Sequence, residues 1–197
     1  GALVRQDDML AVWPAAYPAS MTVDFFTYAG APGAYNLATG AGAGFIYSKN
    51  DFNISASYLS INGNVSNPNS GGIANDGAGS NGTVQISYAP EQWGIAAAYN
   101  YGSTDNGVGL YSGNGTPYAN TLQTYGVTNS AALSAWWMPA ESGLIPSISA
   151  GWGINSTGDS SPYSTNPIKS STSQSWYVGL QWDDAFLKGN ALGFAVG

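Results

Sequence analysis

The chain has 197 residues, of which 27 are Gly and none is Cys or His, and only 8% are charged while 13% are aromatic. Four Lys plus Arg against eleven Asp plus Glu give a net charge of −7, and no basic run exists to neutralise phosphates, so no nucleic acid is expected as a partner. The missing Cys and His exclude disulfide frameworks, thiolate and imidazole metal sites and Ser-His-Asp triads, while the aromatic content excludes a disordered chain.

The length fits one domain, and no run of about 18 apolar residues is available for a membrane helix. The sequence begins at Gly1 without a signal segment and reads as a mature chain or a fragment.

In chain order, residues 1–36 come first. They hold most of the charge found outside turns, at Arg5, Asp7, Asp8 and Asp24, together with Pro14, Pro18 and Pro32. A strand over 22–28 is the alternative reading for part of this stretch.

Period-two alternation then begins, and it places successive side chains on opposite faces of a strand. Over 40–47, Ala41, Ala43, Phe45 and Tyr47 alternate with glycine for part of the run. Over 52–59, Phe52, Ile54, Ala56 and Tyr58 oppose Asn53, Ser55 and Ser57. Over 84–88, Val84, Ile86 and Tyr88 oppose Gln85 and Ser87, and over 93–101 Trp93, Ile95, Ala97, Tyr99 and Tyr101 oppose Gly94, Ala96, Ala98 and Asn100. Over 133–137, Leu133, Ala135 and Trp137 oppose Ser134. Over 147–154, Ile148, Ala150, Trp152 and Ile154 oppose Ser147, Ser149, Gly151 and Gly153. Over 175–182, Trp176, Val178, Leu180 and Trp182 oppose Ser175, Gly179 and Gln181, and Leu192, Phe194 and Val196 mark a last strand over 191–196.

These make about eight strands. Their connections alternate between short ones near 48–51, 89–92, 139–144 and 184–190 and long Gly/Asn/Ser-rich ones at 62–81, 103–127 and 156–173, the polarity of a hairpin meander.

No charged residue lies inside a strand. A soluble sheet would carry charge on its exposed face, whereas here the polar face holds Ser, Gly, Asn and Gln. The apolar face is ordered along its length, with aromatics near the strand ends and Ile, Ala, Val and Leu between them. Tyr47, Phe52, Tyr58, Tyr88, Trp93, Tyr99, Tyr101, Trp137, Trp152, Trp176 and Trp182 therefore read as two aromatic girdles around a lipid-facing band.

The fold class expected is all-β, a segment of an antiparallel transmembrane β-barrel, because only closed sheets satisfy strand backbones in hydrocarbon. Residues 1–36 are then a long external or constriction loop and 37–197 the meander of the barrel wall. Arg5, Asp7, Asp8 and Asp24 become constriction candidates. Ser55, Ser57, Gln85, Ser87, Asn100, Ser134, Ser147, Ser149 and Gln181 become pore-lining candidates. Their small size suits a water-filled interior better than a packed eight-stranded one.

The stretches RQDDMLAVWPAAYP, VDFFTYAGAPGAYNL, VQISYAPEQWGIAAAY, SAWWMP and WYVGLQWDD resemble the barrel of cyanobacterial outer-membrane porins. These are the carbohydrate-selective OprB-like group, also called iron uptake porins, which carry an N-terminal S-layer-homology domain. The resemblance is most specific over 1–37 and 83–99. It implies a barrel of about 16 strands, an even number as such barrels have. It further implies a homotrimer in outer-membrane lipid and passive passage of small hydrophilic solutes, inorganic ions and iron. The S-layer-homology segment and about half of such a barrel's strands fall outside this sequence.

Adjacent carboxylates at Asp7/Asp8 and Asp183/Asp184 point to opposite faces of an extended chain and do not suit two-carboxylate hydrolysis. Asp76 in GGIANDGAGSNG lacks the alternating ligands of a calcium loop. No enzyme activity, metal or cofactor is expected. The function expected is a diffusion porin of the cell outer membrane; the alternative is a secreted soluble β-rich module that binds glycans through Trp and Tyr, or acts as an adhesin.

Overall fold

A computed structural model describes residues 3–6, 9–10, 26, 28–75, 78–103, 116–117, 127–141, 143–158 and 170–197. Its strands are β1 (Leu3–Arg5), β2 (Thr39–Lys49), β3 (Phe52–Ser60), β4 (Ser80–Tyr88), β5 (Trp93–Ser103), β6 (Thr128–Trp137), β7 (Ser147–Thr157), β8 (Ser171–Asp183) and β9 (Ala191–Val196). They form one antiparallel sheet in the order β1 to β9, each strand paired with its neighbours in sequence.

All eight segments expected from the alternation are strands. β1 is an addition inside the stretch read as loop, and three residues are too few for a period to register. Of the alternative strand at 22–28, Phe26 is helical and Tyr28 lies in a turn, while 22–25 and 27 fall outside the described residues.

Several strands run further than their apolar patterns. β4 begins at Ser80, β6 at Thr128 and β8 at Ser171, and β7 continues to Thr157. Those extensions carry Ser, Thr, Asn and Gln on both faces, which erases the two-residue signal although the ladder continues. Thr128 and Thr157 face each other there, their hydroxyls 2.9 Å apart.

The two faces of the sheet meet opposite surroundings. Along β4, Val84, Ile86 and Tyr88 are 41%, 45% and 40% exposed, while the Gln85 and Ser87 between them are 1% and 3% exposed. Every strand from β2 to β9 repeats the bare apolar side, and the core sits entirely on the polar side. We call these the bare and the covered face.

On the bare face the aromatics fall into two rows. Near the short turns, Phe52 faces Tyr88 and Trp93 faces Trp137, with Tyr47 and Trp182 at the matching ends of β2 and β8. Toward the long connections lie Tyr58, Tyr99, Tyr101 and the facing pair Trp152 and Trp176. Ile54, Ala56, Val84, Ile86, Ile95, Ala97, Leu133 and Ala135 occupy the band between.

Polar tips of the rows find partners at the margins. Trp182 Nε1 donates to the Leu144 carbonyl at 3.0 Å, Tyr58 Oη lies 3.1 Å from Ser80 Oγ, and the Tyr99 hydroxyl donates to Asn129 Oδ1. The aliphatic band has only carbon to offer its surroundings.

The β2–β3 connection is the two residues Asn50 and Asp51, with φ of 50° and 64°. Positive φ at both positions is what a tight hairpin needs to match strand twist, and Asn and Asp tolerate it better than most residues. Only Asp51's backbone carbonyl is used by neighbours, accepting from Ala89 N at 2.8 Å and Asn53 Nδ2 at 3.2 Å. Asp51→Gly should therefore stabilise the sheet by about 1 kcal/mol, read as a raised denaturation midpoint, whereas Asp51→Val should lower it.

A strap across the covered face as candidate functional site

What covers the polar face is the segment 28–37, and its residues Tyr28 to Asn36 are buried throughout. It is built from consecutive turns: Ala31 N donates to Tyr28 O at 2.9 Å, and both Ala34 N and Tyr35 N donate to Ala31 O at 3.1 and 3.0 Å. Asn36 closes the run, with its Nδ2 donating to Gly33 O at 3.1 Å and its Oδ1 accepting from Ala38 N at 3.1 Å. Chain 28–37 therefore satisfies much of its own backbone locally, which a buried non-sheet segment requires.

The segment crosses the sheet from β4 to β8. Asn36 Oδ1 accepts from Asn81 Nδ2 at 3.0 Å and the Tyr35 hydroxyl accepts from Gln85 Nε2 at 3.4 Å, both on β4. Further along, Gly33 passes over Ser130 and Asn155, Ala31 over Gly153, Ala29 over Gly151, and Gly30 over the Trp176–Tyr177 backbone. At the β8 end, the Phe26 and Tyr177 rings lie 6.2 Å apart.

Glycine makes that approach attainable. A Cβ on Gly30 would sit 2.7 Å from the Trp176 carbonyl carbon, and Gly30 also has φ of 63°. A Cβ on Gly151 would sit 2.0 Å from the Ala29 oxygen. Segment and strands touch at backbone distance, and a small apolar cluster of Tyr28, Ala31, Ala34, Tyr35, Ala98 and Ala132, joined by Leu10 and Leu37, fills the space between.

Beside it lies a polar network reaching β1's continuation. Gln6 Nε2 donates to Thr83 Oγ1 at 3.0 Å and to the Ala34 carbonyl at 3.3 Å. Asn100 Nδ2 donates to Asn81 Oδ1 at 2.9 Å and to Thr83 Oγ1 at 2.6 Å. Each buried bond of this kind contributes about 1 kcal/mol net, but an orphaned partner would cost more, so the network fixes one docked arrangement.

Of the pore-lining candidates, Ser55, Gln85, Ser87, Asn100, Ser134, Ser147, Ser149 and Gln181 are buried on the covered face, and Ser57 is half-buried there. They share one side, as alternation predicts. They do not all face open space: Gln85 bonds Tyr35, Asn100 belongs to the network, and Ser149 Oγ accepts from the Tyr177 hydroxyl at 2.6 Å. Of the constriction candidates, Arg5 is exposed in β1, while Asp7, Asp8 and Asp24 lie outside the described residues. The eleven girdle candidates all stand on the bare face, Trp182 being half-buried and the others exposed.

Reading by period alone passed over Gln6, Tyr35, Asn36, Asn81, Thr83 and Tyr177. The available signal was the small-residue run AGAPGAY at 29–35, matched by Gly151 and Gly153 on the strand it meets. Trp136 was also passed over. It stands on the covered face over Gly94, where a Cβ would come within 2.0 Å of its ring.

Comparison of the chain with family models, with curated proteins and with solved structures found no match.

Two measurements test the docking. Gly30→Ala adds a left-handed backbone penalty of about 1–2 kcal/mol to the overlap with Trp176. Hydrogen exchange over 28–36 should therefore rise at least fivefold while β3 to β7 keep their protection. Burial pushes the Tyr35 phenol above its ordinary value, opposed by Gln85 and Ser134 beside it. The docked state thus retains the proton longer than the free segment. Its contribution is complete below about pH 10, where free Tyr titrates, and declines as pH rises from there through the docked value. Exchange over 28–36 should accelerate above pH 10 in the parent more than in Tyr35→Phe.

Proposed function

We propose that this chain forms part of the wall of an outer-membrane diffusion pore for small hydrophilic solutes and inorganic ions, with the segment 28–37 narrowing its interior. The observation that carries the reading is the inversion of the sheet: Ser, Asn, Thr and Gln of one face are buried, while large apolar and aromatic side chains such as Phe52, Tyr58, Val84, Ile86, Ile95 and Trp176 stand bare on the other. In water, such a face would be a broad aggregation surface. In a bilayer it is the surface that lipid wets, and the two aromatic rows mark where hydrocarbon gives way to headgroups.

Spacing agrees. Trp93 and Tyr101 are eight residues apart on β5, about 26 Å along a strand at about 3.3 Å per residue. With a tilt near 40°, that span rises about 20 Å, approaching the roughly 25 Å apolar band of outer-membrane barrels. The resemblance to the OprB-like cyanobacterial porins adds a closed barrel of about 16 strands and a trimer to this reading. The nine-stranded sheet supplies roughly half of such a wall.

The pore would discriminate by width and by field. Segment 28–37 reduces the free cross-section, and a net charge of −7 favours cations wherever carboxylates reach the path. A glycan-binding module makes use of exposed Trp and Tyr such as the facing Trp152 and Trp176. It gives no role to the aliphatic band between the rows, and for that reason the pore is preferred.

Ile86 and Ser57 separate the two. Ile86 stands mid-band on the bare face and Ser57 is half-buried on the other. Arg at a lipid-facing midplane site costs roughly 2–4 kcal/mol, whereas Arg in an aqueous interior stays hydrated. Ile86→Arg should impair detergent-stable assembly of the protein, while Ser57→Arg should assemble and lower single-channel cation current in planar bilayers. Equal assembly of both, or an Ile86→Arg protein that needs no detergent, would favour the soluble module.

A further inference from the structure

The short connections at one end of the sheet differ in what they present. Asn50 and Asp51 form the β2–β3 turn and Glu91 and Gln92 lead into β5, so both of these end in polar side chains. The connections before β7 and β9 carry large apolar ones instead. Leu144 is 96% exposed and Phe186 is 92% exposed, with Leu187 also exposed beside it. Side chains of this size normally gain by burial, and here nearly all of that gain is forgone.

Their surroundings give these tips a direction. Trp182 Nε1 donates to the Leu144 carbonyl, which ties the β6–β7 connection to an aromatic row of the bare face. Leu144, Phe186, Trp182 and Leu192 line one cleft of about 580 Å³, and Trp182 and Leu192 are paired across β8 and β9. The tips therefore continue the bare face beyond its aromatic row. Phe186 also has φ of 62°, and Leu187 N donates across it to the Ala185 carbonyl at 2.7 Å. A bulky residue rarely adopts that backbone conformation, yet the turn is secured by Asp184 Oδ1, which accepts from Gly189 N at 2.7 Å. It holds a phenyl ring outward where Gly would relieve the strain.

We propose that the β6–β7 and β8–β9 turns are anchors in the headgroup–acyl boundary of a phospholipid leaflet, with lipid covering Leu144, Phe186 and Leu187 and filling the cleft beside Trp182. Two features select lipid over a folded partner or a second copy. Leu144 and Phe186 project singly, and a fluid wets separate projections, whereas a protein surface would need a matching pocket for each. The same stretch carries Asp183, Asp184 and Lys188, charges of both signs as in a zwitterionic headgroup, next to an indole of the kind that settles at membrane interfaces. The placement rests on the diffusion-pore reading, which puts the bare face in lipid.

Because the chain has no Cys, single substitutions create unique labelling sites. Leu144→Cys, Phe186→Cys, Glu91→Cys and Ile86→Cys, each labelled with the fluorophore NBD, are reconstituted as whole protein in phosphatidylcholine vesicles. Quenching is measured with lipid spin-labelled either just below the headgroup or at the middle of the acyl chain. The shallow spin label should quench Leu144→Cys and Phe186→Cys about twofold more than Glu91→Cys, as burial at the boundary requires. Ile86→Cys, in the middle of the band, should be quenched best by the deep spin label. Far-UV circular dichroism identifies any variant that has not folded, and Ile95→Cys on the neighbouring strand replaces Ile86→Cys in that case. Quenching of Ile86→Cys with both turn variants no different from Glu91→Cys overturns the anchors and leaves the pore reading standing. Quenching of the turn variants alone supports their contact with lipid and overturns the pore. Quenching of none overturns both.

Discussion

A β-strand sends its side chains alternately to its two faces, and a sheet can hide only one of them behind a single covering segment. In this protein the hidden face is the polar one. That choice imposes a condition on everything beneath it: each Ser, Asn and Gln under segment 28–37 needs a partner, and on the pore reading each strand interior must also be free of charge because neither face then has bulk water beside it. Asn36, Asn81, Thr83, Gln85 and Asn100, with the amide nitrogen of Gln6, meet the first condition through bonds among themselves and with the covering segment. The second is met by confining charge to the turns and strand ends.

Small residues follow from the same constraint. A segment that spans five strands at backbone distance leaves no room for ordinary side chains on the strands below it or on its own underside. Gly151 and Gly153 on β7 lie opposite Ala29 and Ala31, and Gly33 lies opposite Ser130 and Asn155. The high Gly content is therefore partly a packing requirement at one crossing, and partly the turn chemistry that Gly72 and Gly189, both with positive φ, supply elsewhere.

Much of the sheet was legible because alternation is a local property. Val84, Gln85, Ile86, Ser87 and Tyr88 declare their faces by order alone, and the short connection near 48–51 marks β2 and β3 as neighbours. The ends of β4, β6, β7 and β8 were not legible, since Ser, Thr and Asn on both faces look like loop even while they pair. Nor could alternation show that Tyr35 of a non-strand segment lies against Gln85, fifty residues away, or that Gln181 turns its amide toward Asp183. Those contacts depend on which residues tertiary structure brings opposite one another, and single-strand periodicity carries no information about that.

β1 pairs with β2 only from Thr39 to Ala41, so along the rest of β2 one row of backbone donors and acceptors has no strand beside it in the described sheet. In water such an edge is solvated at little cost. In hydrocarbon each unpaired group costs several kcal/mol, which no side chain on Phe45 or Tyr47 offsets. On the pore reading, then, these strands cannot enter a bilayer one hairpin at a time: closing the edge and crossing the membrane must be a single concerted event.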